Sequence, residues 1–313
     1  RQMGMRHGLL RTSCSRNPEN TSNPLIFLRK MATFRCFALH KVINFHASMK
    51  FMTFCRLSHH MRYMKIRKKI MELMIIRHGD PDYEKDSLTE KGWREAEYLS
   101  EKLVKMNIKD FYVSPLGRAR DTASCTLKKL NREAVIWPWL KEFDVPIHRP
   151  DVQDRKMIAW DWLPEDWTKE PGFYDYDSWW KAPVFQSENM KAEYDHVTEN
   201  FDRILAEHGY IREGNYYRAQ CANREKLAFF CHFGLGCVLL SHLLHISPMI
   251  LWHQFVAAPS SVTSVVTEER REGIALFRMR SYGDVSHLYA HGEEPAFAAR
   301  FCETYDSKNE RHD

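Results

Sequence analysis

Acidic residues are almost missing from the first seventy positions, where 15 Lys and Arg stand against a single acid, Glu19, a balance of +14. The rest of the 313-residue chain holds 31 Lys and Arg against 40 Asp and Glu, a balance of −9, so the overall +5 joins two unlike parts. No apolar run is long enough to cross a bilayer. No secretory signal with a clean apolar core precedes Met71. The eight cysteines, at 14, 36, 55, 125, 221, 231, 237 and 302, form no C-x-x-C pair. That spacing argues against a zinc site or a redox motif. A reducing cytoplasm fits best. Gly234-Leu235-Gly236 lacks the third glycine of a dinucleotide loop and lies too late in the chain to open such a fold.

The basic first part shows no sustained helical or strand period and ends in Met64-Lys65-Ile66-Arg67-Lys68-Lys69-Ile70. Met71 follows at once. The simplest account is a natural start at Met71, with residues 1–70 a disordered or non-native, untranslated-region-derived extension; Arg1 in place of an initiating Met agrees with it. An acid-poor, Arg-rich targeting peptide is the next account. A basic arm for nucleic acid or anionic lipid is the third. Residues 71–313 have the length of one domain with a substantial core.

In that domain the apolar run Leu73-Met74-Ile75-Ile76 reads as a short buried strand and stops on Arg77-His78-Gly79. Such a stop presents a cation and an imidazole at the carboxyl edge of a sheet, where open α/β folds place ligands. An imidazole nitrogen can attack phosphorus, and a guanidinium holds oxygens in a rigid fork. The tripeptide alone proves little. Arg6-His7-Gly8 repeats it with no strand before it, and that copy reads as chance.

Context separates the two copies. Leu88-Thr89-Glu90-Lys91-Gly92 opens a helix, with Thr89 as N-cap and Trp93, Ala96, Leu99, Leu103 and Met106 at helical spacing. Asp110 to Ser114 reads as a second strand, followed by the helix opening Ser114-Pro115-Leu116-Gly117-Arg118-Ala119-Arg120-Asp121-Thr122-Ala123. Lys226 to Cys231 reads as a strand that stops on His232, with Gly234 two residues on. Further strands are expected near 134–137, 262–267 and 274–280, and a helix from 191 to 208. The pattern predicts a three-layer αβα sandwich with a largely parallel central sheet and a long insertion at roughly 145–225.

These motifs resemble the histidine phosphatase superfamily, the phosphoglycerate-mutase-like enzymes. Its Arg-His-Gly-Glu opening appears as Arg77-His78-Gly79-Asp80, its Leu-Thr-x-x-Gly step as Leu88 to Gly92, and its Ser-Pro-Leu-x-Arg-Ala-x-x-Thr-Ala run as Ser114 to Ala123. Its second His-Gly step appears as His232-Phe233-Gly234, with Phe233 inserted, and Gly283 to Leu288 looks like its closing strand and turn. Asp80 replaces the family's Glu, keeping the charge and shortening the reach. The family's Asn is absent from Pro81-Asp82-Tyr83-Glu84.

The resemblance implies a phosphatase that hydrolyses phosphomonoesters through a phosphohistidine on His78, without metal or other cofactor. It implies Arg77, Arg118 and His232 as the phosphate-binding residues. It also implies Glu142, shortly after the strand at 134–137, as the proton donor, with Asp144 as the fallback. The alternatives are a mutase that returns the phosphoryl group to its substrate, and a catalytically inactive phospho-ligand-binding protein. The expected partner is a small phosphorylated substrate, with neither nucleic acid nor membrane; a homodimer stays open. Physically, His78 must be neutral to attack, and neighbouring guanidinium groups lower its pKa. Taken singly, a strand-end histidine is a solvated residue, Glu142 a surface carboxylate and Arg120 a solvated cation. The grouping is what argues otherwise for His78, His232 and Arg118. His208, His242, His245, His253 and His291 lack such context and read as structural or surface residues.

The segment Trp160-Asp161-Trp162-Leu163-Pro164-Glu165-Asp166-Trp167 is rich in tryptophan and acid, as is Tyr174 to Trp180. In the family, specificity comes from a cap inserted here. Aromatic packing of a small subdomain onto the sheet accounts for the same composition. If its acids face the site, they disfavour a highly anionic substrate.

Overall fold

The run Leu73-Met74-Ile75-Ile76 forms a strand buried along its whole length because its alternate side chains enter two different cores. In the computed structural model, which describes residues 70–312 apart from 153, 187 and 299, this strand is β1, Glu72–Arg77. Leu73 and Ile75 point into one apolar cluster, Met74 and Ile76 into the other. The expectations for residues 1–69 lie outside the described residues.

The strands follow in chain order. Short pairs form from β2, Pro81–Asp82, with β3, Ser87–Leu88, and from β6, Pro146–Ile147, with β7, Met157–Ile158. The main sheet uses β4, Asp110–Val113; β5, Val135–Ile136; β8, Tyr210–Glu213; β9, Tyr216–Ala219; β10, Lys226–Cys231; β11, Val262–Arg271; and β12, Ile274–Asp284. Its order is β5-β4-β10-β1-β11-β12-β9-β8. The first four strands are mutually parallel, and every later neighbour is antiparallel. The expectation of a largely parallel sheet therefore describes the half that carries β1 and β10. The antiparallel half ends in a hairpin absent from the expected strands, turned by Gly214-Asn215, with Gly214 at φ 61°.

The helices are α1, Glu90–Leu103; α2, Gly117–Leu130; α3, Pro164–Trp167; α4, Met190–Glu207; α5, Phe233–Leu244; α6, Pro248–Gln254; and α7, Ser286–Tyr289. Leu99 and Leu103 of α1 and Ala123 of α2 cover one face of the sheet, and α4 and α5 cover the other. Thr89 caps α1, its hydroxyl accepting from Gly92 N at 3.0 Å. One position on the expected apolar face of α1 is corrected. Trp93 is 40% exposed, while Glu95 is fully buried. The cause is Gly92, which must face the backbone of Asp80 so closely that a Cβ there would stand 2.2 Å from Asp80 O. That orientation turns residue 93 outward.

Between 138 and 189 the regular structure among the described residues is limited to short 3₁₀ turns, a four-residue helix and the β6–β7 pair. Its buried aromatics hold it to neighbouring helices. Trp179 packs edge-on against Tyr194 of α4 and Trp252 of α6, with ring centroids 5.3 and 5.8 Å apart. Among the described residues no helix is long and apolar enough to cross a membrane.

Candidate active site

Strand pairing brings the candidate residues together. β1 and β10 are parallel neighbours with Arg77 opposite Cys231, so the residues that follow, His78 and His232, emerge side by side. His78 N donates to Cys231 O at 3.0 Å, and the two imidazole centroids lie 5.1 Å apart. β4 is the next parallel neighbour, and it delivers Ser114 to the same edge, its N–H donating to Phe230 O at 2.9 Å.

Hydrogen bonds fix both imidazoles. His78 Nδ1 lies 2.7 Å from the carbonyl of Gly79, which can only accept, so Nδ1 carries the proton and Nε2 keeps its lone pair. Burial, then Arg77 and Arg118, hold the His78 pKa well below its ordinary value; the Gly79 bond opposes them. His78 is therefore a neutral imidazole with a free nucleophilic nitrogen. Ser114 Oγ accepts from Leu116 N at 3.2 Å and lies 2.7 Å from His232 Nε2. With the hydroxyl as donor to Nε2, His232 carries its proton on Nδ1. Burial first, then His78 and the two arginines, keep this second imidazole neutral as well.

Three buried donors of this group have no partner: Arg77 Nε, Arg118 Nε and His232 Nδ1. Native interiors seldom leave such groups unsatisfied, and two of these three belong to cations. Arg77 is held by a bond from Nη1 to Ala257 O at 2.7 Å. Arg118 is held by Asp86, whose Oδ1 accepts from Nη1 at 2.6 Å and whose Oδ2 accepts from Gly117 N at 2.6 Å. Asp86 sits at φ 47° in the β2–β3 turn, and a Cβ on Gly117 would meet its carbonyl oxygen at 1.9 Å. Neither Asp86 nor Ser114 is among the site residues expected from the sequence. Ser114 carried a signal in the Ser-Pro-Leu run; Asp86 carried none.

Glu142 and Asp144 separate clearly. Glu142 Oε1 accepts from Phe143 N at 2.9 Å and from Leu235 N, in the first turn of α5, at 3.0 Å. Burial raises its pKa to about 7 against the opposing pull of those two bonds and of Arg77 and Arg118. Gly234 makes the approach possible, since a Cβ there would lie 2.8 Å from both Glu142 Oε1 and Trp160 Nε1. Asp144 is exposed and stands 3.8 Å from Lys141. The turn after His78 is braced to α1. Asp80 Oδ2 accepts from the Thr89 hydroxyl at 2.7 Å, and Asp80 N donates to Glu95 Oε2 at 2.8 Å. The shorter Asp80 thus binds within the protein.

Arg77, Glu142 and Phe233 line a cavity of about 830 Å³ walled by the 149–167 segment, α6 and residues 301–312. Arg77 and Phe233 also line, with His232, a cavity of about 20 Å³. Asp151 and Asp161 face the larger cavity, but each is ion-paired, with Arg149 and Arg311 respectively. Of the acids in the 160–167 and 174–180 segments, Asp161 alone is among the residues lining this cavity, and its pairing with Arg311 offsets the repulsion expected of it. Among the described residues no group of three or more His, Cys, Asp or Glu is placed to hold a metal ion.

The sequence pattern of the histidine phosphatase superfamily, branch 1, matches residues 73–279. Over 72 residues the chain is 38% identical to a 2,3-bisphosphoglycerate-dependent phosphoglycerate mutase of Thermoplasma acidophilum. That stretch is 20% of this chain and 36% of the relative, so the match spans about a third of the relative's length. Among solved structures, a mutant phosphoserine phosphatase of Entamoeba histolytica, in complex with phosphoserine, aligns at 18% identity with a TM-score of 0.44. The alignment covers 70% of this chain and 99% of that one. An alpha-ribazole phosphatase of Shigella flexneri aligns at 19% identity with a TM-score of 0.44, over 69% of this chain and 97% of its own.

Proposed function

Because the chain belongs to the histidine phosphatase superfamily, we propose that it hydrolyses phosphomonoesters through a phosphohistidine on His78. The observation that carries this reading is the set of three partnerless buried donors, Arg77 Nε, Arg118 Nε and His232 Nδ1, gathered around a neutral histidine. They match the needs of a phosphoryl group, whose charge is spread over three equatorial oxygens in the transition state. His78 Nε2 attacks phosphorus as the bond to the ester oxygen breaks. The carboxyl of Glu142, protonated at its second oxygen, gives its proton to the departing alkoxide. A water then attacks the phosphohistidine. The Glu142 carboxylate takes the water's proton, the P–N bond breaks, and His78 returns to its starting state with release of inorganic phosphate.

The named activity of the Thermoplasma relative favours a second reading, in which the phosphohistidine returns its phosphoryl group to an alcohol rather than to water. The two differ in product. Incubating the protein with phosphate esters should release inorganic phosphate at a rate that His78→Ala abolishes. Interconversion of 2- and 3-phosphoglycerate without phosphate release would instead establish the mutase. Phosphate release unchanged in His78→Ala would overturn both.

A further inference from the structure

The large cavity is lined by rings on several sides. Phe233 begins α5 directly after His232, and its ring lies 5.8 Å from the Arg77 guanidinium. Trp160 meets that ring edge-on at 5.7 Å, so aromatic surface continues from the phosphate-binding arginine into the cavity. The indole N–H of Trp160 is already spent on Phe143 O at 3.1 Å, and that of Trp252 on Gly234 O at 3.0 Å. Both rings therefore offer the cavity apolar surface and no donor.

The wall is also pre-formed. Buried Arg149 donates to the carbonyls of Trp160 and Asp161 at 2.8 and 2.6 Å, and Asp151 fixes it from the other side at 2.9 Å. A C-terminal segment contributes further surface. Arg311 reaches Asp161 at 2.6 Å while stacking 4.1 Å from the Phe301 ring, and Phe301 lines the cavity. A volume of about 830 Å³ is at the large end for small-molecule sites and far exceeds what a three-carbon phosphate would fill.

We propose that this cavity receives the alcohol portion of the substrate, and that the substrate is a phosphomonoester of a large, flat, ring-bearing alcohol, stacked on one of the rings of Phe233 and Trp160 and edge-on to the other, with Phe301 on a further wall. The proposal rests on the phosphatase reading for the position of the phosphate. Aromatic stacking and burial favour a fused ring system over a single ring, and over a flexible chain that must give up its rotational freedom.

The test uses non-hydrolysable probes on the full chain, so that binding is read apart from turnover. By calorimetry, 2-naphthylmethylphosphonate should bind at least about tenfold more tightly than benzylphosphonate, the scale of one added apolar group in a fitted pocket. Trp160→Ala and Phe301→Ala, from separate parts of the wall, should each shrink that ratio. Equal affinities for the two probes would overturn the proposal. So would n-undecylphosphonate binding as tightly as the naphthyl probe, or a ratio that survives in both variants. His78-dependent release of phosphate from phenyl phosphate, measured separately, reports on the phosphatase reading alone. If that activity is present and the probes bind alike, only the ring-pocket assignment fails.

Discussion

Replacing Glu142 by Gln separates proton donation from every other role of the site. Gln keeps the oxygen that accepts from Phe143 N and Leu235 N, at 2.9 and 3.0 Å, so the start of α5 stays anchored. What it loses is the acidic proton, held on a carboxyl whose pKa burial raises to about 7. For an alkyl phosphate, whose leaving group must be protonated, the rate at which His78 is phosphorylated should fall by about 10²- to 10⁴-fold, the usual worth of a general acid. That loss corresponds to roughly 3–5 kcal/mol of barrier. For p-nitrophenyl phosphate, whose leaving group hardly needs a proton, the loss should be far smaller. The pH profile supplies an independent sign. The first step needs Glu142 protonated, so alkyl phosphate phosphorylation of the enzyme should decline as pH rises through about 7. His78, held neutral well below its ordinary pKa, adds no limb in that range. The substrate's own second ionisation, near about 6, is common to both proteins. Only the limb near 7 should vanish in Glu142→Gln. Stopped-flow measurement of the first turnover reads both effects. Equal losses for the two substrates, or an unchanged high-pH limb, would refute the assignment.

Asp86→Ala should raise KM for phosphate esters more than it lowers kcat, because it frees Arg118 and the Gly117 amide from their carboxylate while leaving His78 untouched; steady-state kinetics on one ester gives the split. Gly92→Ala should lower the melting temperature, since its Cβ would stand 2.2 Å from Asp80 O and overpacking of this kind costs about 1–3 kcal/mol. Glu95 is an acid whose folded pKa, raised to about 7 chiefly by burial, exceeds its unfolded one. Stability should therefore be greatest below about pH 4.5 as far as this group is concerned, and should fall as pH rises toward 7. Urea titrations should show a shallower decline in Glu95→Gln. Activity should persist in EDTA, because guanidinium groups supply the positive charge; loss on chelation, restored by a divalent ion, would contradict that.

Arg77, His78 and His232, which the sequence brought forward, share one physical property: they end or follow apolar runs that stop abruptly. Strand ends are legible because burial imposes the run and the ligand edge ends it, as at Ile76-Arg77-His78 and Phe230-Cys231-His232. The α1 pattern was legible except at Trp93, where a backbone contact of Gly92 overrides the apolar period. Asp86 was not legible, because its partner Arg118 lies thirty-two positions away and only the folded β2–β3 turn aims one at the other. Segment 138–189 gave composition but no shape, since 3₁₀ turns have no sustained period. The hairpin β8–β9 carried a turn signal in Gly214-Asn215 that its tyrosine-rich strands, half-exposed at the sheet edge, did not reinforce.

The central claim is that His78 Nε2 forms a covalent bond to phosphorus. Rapid acid-free quenching of the enzyme during turnover of a phosphate ester, followed by peptide mass spectrometry under alkaline conditions, tests it directly. The account predicts an acid-labile, base-stable phosphoryl group on His78, absent from His78→Ala and accumulating when water attack is slowed in Glu142→Gln assayed with p-nitrophenyl phosphate. A phosphoryl group on another residue, or full turnover with His78 unmodified and dispensable, would contradict it.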